Sequence, residues 1–339
     1  MVNHFTRHSI DDRSYVAFVK REIHSQATQK NFSRARVAEI DIIVAELCSN
    51  LIKHAGNGQL LFRFGGSEDA PVLEILSIDN GPGMADVPRM MKDGVSTTNT
   101  LGQGLGAIMR LAAFAQIYSL PKWGTICYVV VKSVAGEERR LVNGLDIRTL
   151  LVPKPKEILC GDGWSMKRKA NRITILFADG LGHGEHAFDA VRKASEEFQL
   201  CQEEEPVEII RTIHQKVKKT RGLVGTIAVL DMANRQWRFC GVGNVITRVY
   251  GGMMFKHYLS YNGIIGLNIP NSLNETVVEA EKNQQLVMCS DGLRTRWELT
   301  KYPSLLKFDH LILAAALYKD HTRGNDDSSV LVGKVMLER

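Results

Sequence analysis

At 339 residues the chain has room for two domains of ordinary size, each able to bury a core. Its 44% hydrophobic and 24% charged residues exclude a disordered or fibrous chain and match a soluble globular one. The net charge of +6 is modest, and the short basic clusters Lys167-Arg168-Lys169 and Lys216 to Arg221 read as solvated faces, so no nucleic-acid partner is expected.

The six cysteines are scattered, without a C-x-x-C pair, as buried free thiols in a reducing compartment would be. The start of the sequence lacks an apolar signal core, and no apolar run approaches the ~20 residues that span a bilayer. A cytoplasmic protein with no membrane partner is expected.

From the N-terminus, a helix is expected over about 11–27, where Tyr15, Val16, Val19 and Ile23 recur at helical spacing behind Ser9 and two acids. A second helix follows Ser33. Val37, Ile40, Val44, Leu47 and Leu51 form its apolar stripe, and Glu46, Asn50, Lys53 and His54 recur on a neighbouring face. Gly56-Asn57-Gly58 breaks it. Strands are expected at 59–64 and 72–78, the second running into Asp79-Asn80-Gly81-Pro82-Gly83. A long polar stretch leads to the glycine cluster Gly102-Gln103-Gly104-Leu105-Gly106-Ala107, then a helix over 108–115 and strands at 116–120 and 125–131.

The cluster at 102–107 can be aligned with a dinucleotide fingerprint, but the polar lead-in Ser96 to Thr100 replaces the strand which that fingerprint requires. A glycine-rich loop opening a helix can still cradle phosphates through free backbone N–H groups. With Glu46-x-x-x-Asn50-x-x-Lys53-His54, Asp79-x-Gly81-x-Gly83, Gly102-x-Gly104-x-Gly106 and Gly124-Thr125, this half resembles the GHKL ATPase family, closest to the RsbT-like switch kinases. The resemblance implies a Bergerat α/β sandwich binding ATP with magnesium. It makes Asn50 the magnesium ligand, Asp79 the acceptor for the adenine amine, Gly102, Gly104, Leu105 and Gly106 the lid over the phosphates, and Glu46 the general base. Lys53, His54, Gly81, Gly83 and Thr125 would complete the nucleotide site.

Charged residues after Val131 read as a linker over 135–144, separating a domain at 1–134 from one at 145–339. A strand is expected at 145–152. The run Ile173 to Ala178 suits a strand buried on both faces, and it stops at Asp179-Gly180-Leu181-Gly182-His183-Gly184. Helices over 185–200 and 207–219, strands at 225–230 and 237–241, a hairpin through Tyr250 and Phe255, a strand ending in Ser290-Asp291-Gly292 and a helix over 308–319 precede the last strand, which opens with Asn325-Asp326-Asp327. His183 and His186 lack the third ligand of a zinc site. Acids at separate strand ends, with no His or Cys cluster, are what a hard divalent cation requires.

These motifs, in this order, resemble the metal-dependent (protein phosphatase 2C-like) phosphatases, in the SpoIIE and RsbX branch. The resemblance implies an α-β-β-α sandwich holding two manganese or magnesium ions on Asp162, Asp179, the Gly180 carbonyl, Asp291 and Asp326, with Asp179 central to catalysis. Together the two halves imply an α+β bifunctional partner-switching enzyme: a phosphoserine/phosphothreonine phosphatase acting on a phosphorylated STAS-type regulatory protein, with a kinase-like domain directed at the same target class. An anti-sigma or sigma factor as further partner and a homodimer are compatible with it. The alternative is a phosphatase whose first domain senses ATP or docks the partner without transferring phosphate.

Overall fold

The computed structural model describes residues 4–90, 104–134, 144–251 and 254–336. The chain divides into two compact units, Phe5–Arg139 with Ser304–Ala315, and Arg140–Pro303 with Ala316–Arg339 and Met1–His4. The expected linker falls almost wholly outside the described residues, as do Gly102 and its polar lead-in.

The first unit opens with β1 (Thr6–Ile10), followed by α1 (Arg13–Gln29) and α2 (Arg34–Asn50). Asp12 caps α1 by accepting from Ser14 N–H, so Ser9, expected as a start signal, belongs to the strand instead. Ser33 caps α2 through Arg36 N–H. Every residue of the expected α2 stripe is buried. Past Asn50 the helix widens into a single π turn, Leu51–Ala55. Lys53 and His54, inside that turn, are exposed, whereas Glu46 and Asn50 are half-buried.

Next come β2 (Gly58–Gly66), β3 (Pro71–Asp79), the short α3 (Val87–Met90), α4 (Gly104–Leu111), β4 (Phe114–Leu120) and β5 (Gly124–Lys132). The third helix thus begins and ends four residues earlier than the sequence suggests, with two glycines inside it, and Phe114 and Ala115 belong to a strand. The sheet order is β1-β2-β3-β5-β4, antiparallel throughout. Ile23, Ile40, Val44 and Leu47 of the helices pack on Leu60, Leu73, Ile75 and Val129 of the sheet, with Ile108 of α4. This is the α/β sandwich expected.

The second unit holds β6 (Gly144–Val152), β7 (Asp162–Lys169), β8 (Arg172–Gly180), α5 (Glu185–Leu200), α6 (Pro206–Lys216), β9 (Leu223–Asp231), β10 (Gln236–Val242), β11 (Ile246–Gly251), β12 (Met254–Tyr258), β13 (Thr276–Glu279), β14 (Gln285–Cys289) and β15 (Ser328–Met336), while α7 (His310–His321) is divided between the two units after Ala315. Two five-stranded sheets result, β13-β10-β9-β8-β7 and β12-β11-β14-β15-β6. Their inner faces meet through Ile175, Phe177, Leu230 and Trp237 of one and Val249, Leu286, Met288 and Leu331 of the other. Helices α5 and α6 cover the outer face of the first sheet through Val191, Phe198, Ile210 and Ile213. The chain is a two-domain α+β protein.

Candidate functional site

In the first unit, Glu46 and Asn50 stand one turn apart on α2, both half-buried. A side chain at Gly104 would meet the Glu46 carboxylate at 2.5 Å, so Glu46 lies against the first turn of α4. Leu105 and Gly106 follow on that turn, Gly106 buried. An acid beside free N–H groups at a helix start faces the place where a phosphate group would be held.

Asp79 ends β3, and its Oδ1 accepts from Gly81 N–H at 2.8 Å and Thr125 N–H at 3.1 Å, which fixes the carboxylate's direction. The corner beyond it is built on glycine. Gly83 has φ +69, and a Cβ there would lie 1.9 Å from the Leu120 carbonyl oxygen. At Gly124, with φ +116, it would lie 2.2 Å from that of Asp79. Gly81 packs against Ala55 at the end of the π turn, bringing the corner to the end of α2. Ser119, which the sequence did not single out, joins its Oγ to the Gly124 carbonyl and the Thr125 hydroxyl, both at 2.9 Å, and receives Met84 N–H at 2.8 Å.

In the second unit, the apolar run of β8 carries Asp179 to the end of the sheet, where it is the register partner of Asp162, first residue of β7. Asp162 is 1% exposed, and its Oδ2 has no hydrogen-bond partner. Burial, then the charge of Asp327, pushes its carboxyl up to about 7, against the hydroxyls of Ser290 and Ser329. Burial likewise raises Asp179 well above the usual carboxylate range, with Asp162, Asp291 and Asp326 adding like charge. Asn244 donates to Asp291 Oδ2 at 2.9 Å. The four acids expected from the sequence therefore share one electrostatic cluster.

Among the described residues no three acidic, imidazole or thiol groups close on one point at coordination distance. The donor set nevertheless fits a hydrated divalent cation, since such ions keep several waters between metal and carboxylates. An unpartnered buried carboxylate oxygen among like charges is the feature that a cation would relieve. Gly180 is packed against the α5 backbone, a Cβ there lying 2.5 Å from the Ala187 carbonyl oxygen.

Asp327, the neighbour of the expected ligand Asp326, has a different role. Its two oxygens accept Lys154 N–H at 2.8 Å and Gly161 N–H at 2.9 Å, tying the segment before β7 to the start of β15. Nothing in an Asp-Asp pair tells which acid faces inward. His183 is hydrogen-bonded through Nδ1 to Glu157 at 2.8 Å, and Arg221 reaches the Leu181 carbonyl at 3.5 Å, which brings a guanidinium to the loop after Asp179.

Residues 11–125 match the family model described as a histidine kinase-like ATPase domain. Serine/threonine-protein kinase RsbT of Bacillus subtilis (strain 168) is 32% identical over 99 residues, 29% of this chain and 74% of RsbT. Phosphoserine phosphatase RsbX of the same organism is 28% identical over 150 residues, 43% of this chain and 75% of RsbX. A solved structure from work on the bacterial stressosome as a modular system adapted to control secondary messenger signalling superposes with a TM-score of 0.51 at 25% identity, over 56% of this chain and 98% of that one.

Proposed function

We infer that this chain, which belongs to the RsbT-like histidine kinase-like ATPases and carries an RsbX- and SpoIIE-like protein phosphatase 2C domain behind them, is a bifunctional partner-switching regulator. Its C-terminal unit is a metal-dependent phosphoserine/phosphothreonine protein phosphatase. Its N-terminal unit binds ATP with magnesium and phosphorylates the same class of target, a STAS-type regulatory protein. The gathering of Asp162, Asp179, Asp291 and Asp326 carries the reading.

In the phosphatase unit, Asp162, Asp179, Asp291, Asp326 and the Gly180 carbonyl would hold two manganese or magnesium ions. Those ions would supply charge neutralisation at the phosphoryl group and activation of a water. Asp327 keeps the backbone at Gly161 in place beside Asp162, and Asn244 orients Asp291. Arg221 adds a guanidinium to the rim, suited to a phosphorylated side chain.

In the kinase unit, Asp79 would accept the adenine amine, held in direction by Gly81 and Thr125. Asn50 would hold magnesium, while Gly102, Gly104, Leu105 and Gly106 would cover the phosphates. Glu46, against the start of α4, is positioned to take the proton of an incoming hydroxyl. That position favours transfer over a purely sensing role.

Incubation with a phosphorylated STAS protein and manganese should release phosphate from wild type and not from Asp179→Asn; no release from either removes the phosphatase reading. Labelled γ-phosphate should appear on the unphosphorylated STAS protein in Asp179→Asn and disappear when Glu46→Gln is added. ATP binding without transfer would leave the N-terminal unit a sensor.

A further inference from the structure

A cavity of about 260 Å³ in the C-terminal unit, lined by residues of β9 to β13 and the segment after β12, takes no part in the chemistry above. Thr226, Cys240 and Thr247 line it and are 3%, 2% and 1% exposed. The hydroxyls of Thr226 and Thr247 have no hydrogen-bond partner among the described residues. Buried hydroxyls are nearly always bonded, and two orphans lining one cavity call for a shared partner. Phe239 and Tyr258 also line it, their rings stacked at 4.6 Å and 21° into an apolar wall. The space is kept open by Gly241, where a Cβ would stand 2.5 Å from both Ser260 Oγ and Thr226 Oγ1.

The lining selects its ligand by chemistry. It contains no Asp, Glu, Lys, Arg or His, and burial pushes the Cys240 thiol up to about 11, so it stays neutral. A charged ligand would be desolvated there without a counter-ion. Hydroxyl groups both donate and accept, so they match partners that also do both. The aromatic wall suits the C–H face of a ring. The volume falls just under the ~300–1,000 Å³ of sites for drug-sized ligands, which limits the occupant to about a monosaccharide.

We propose that this cavity is a binding site for a small neutral polyol or sugar, held by the hydroxyls of Thr226 and Thr247 against the ring wall of Phe239 and Tyr258. It does not depend on the phosphatase assignment. The test is saturation-transfer NMR on the full chain with D-glucose, D-ribose and glycerol, and glucuronate as the charged control. At least one neutral compound should show transfer, glucuronate none, and the isosteric double variant Thr226→Val/Thr247→Val should lose the signal. Without sugar, that variant should melt at a higher temperature than wild type, because two unpartnered buried hydroxyls are gone. The single variants Thr226→Val and Thr247→Val should each weaken the signal and melt no lower than wild type. No transfer from the three neutral compounds, meaning that water alone fills the space, overturns the proposal. So does an equal signal from glucuronate, an undiminished signal in the variants, or a lower melting temperature for them.

Discussion

Asp327 accepts the Gly161 N–H at 2.9 Å from a point 166 residues further along the chain, while its other oxygen accepts Lys154 N–H. A carboxylate buried beside Asp162 raises that neighbour's pKa, so its retention rests on the backbone donors it satisfies. Asp327→Ala leaves two N–H groups without their acceptor and should cost about 2–4 kcal/mol in urea denaturation. Asp327→Asn keeps one acceptor oxygen and should cost about half as much. Equal stability for all three proteins would remove the clamp.

Asp179 adds like charge to a cluster of acids, so removing its charge and removing its function pull stability and activity apart. Asp179→Asn should lower manganese-dependent phosphate release by about 100-fold or more and raise the melting temperature of the metal-free protein. A melting temperature that falls in the absence of metal contradicts the repulsion argument.

Manganese should itself stabilise the wild type, because a ligand of the folded form adds RT ln(1 + [L]/Kd). Calorimetry should show the rise in wild type, its reversal by EDTA and its absence from Asp179→Asn. An equal rise in the variant would place the cation elsewhere.

Gly83 tests the nucleotide corner. With φ +69 and no room before the Leu120 carbonyl, Gly83→Ala should destabilise the chain by more than about 1 kcal/mol and weaken binding of a fluorescent ATP analogue. Unchanged affinity would separate this corner from the nucleotide site.

His214 gives a pH signature. Its Nδ1 accepts Gly266 N–H at 3.0 Å, and burial, with Lys218 adding like charge, lowers its pKa below the ordinary histidine value. The unfolded chain then binds the proton more readily than the folded one. The stability from neutral His214 is fully present above pH ~6.5 and is lost as pH falls through the lower folded value. Urea midpoints at pH 7 and pH 5 should therefore differ more in wild type than in His214→Gln, and parallel differences would exclude His214 as the source.

Much of this was legible in residues alone. The run from Ile173 to Ala178 announces a strand buried on both faces, and α5 spans the expected Glu185–Leu200. Asp179 and Asp291 stand out because each follows an apolar run. Other features depend on partners distant in sequence. Strand β1 is short and mixed in polarity and is recognisable by its pairing with β2, while β13 exposes Thr276, Val277 and Glu279 at a sheet edge. Gly104 and Gly106 oppose helix propensity but sit in the first turn of α4, where Gly104 lets the Glu46 carboxylate lie against the backbone. The inward turn of Asp327 follows from backbone donors that only the folded chain supplies.

The pairing of Asp162 with Asp179 bears on folding as well as on chemistry. Side chains alternate between the faces of a strand, so a slip of one residue between β7 and β8 would turn one acid away from the other. A cation that binds only the correctly aligned pair would deepen that basin and none of its misaligned competitors. The metal would then act as a proofreader of strand alignment during assembly, before any phosphoester arrives.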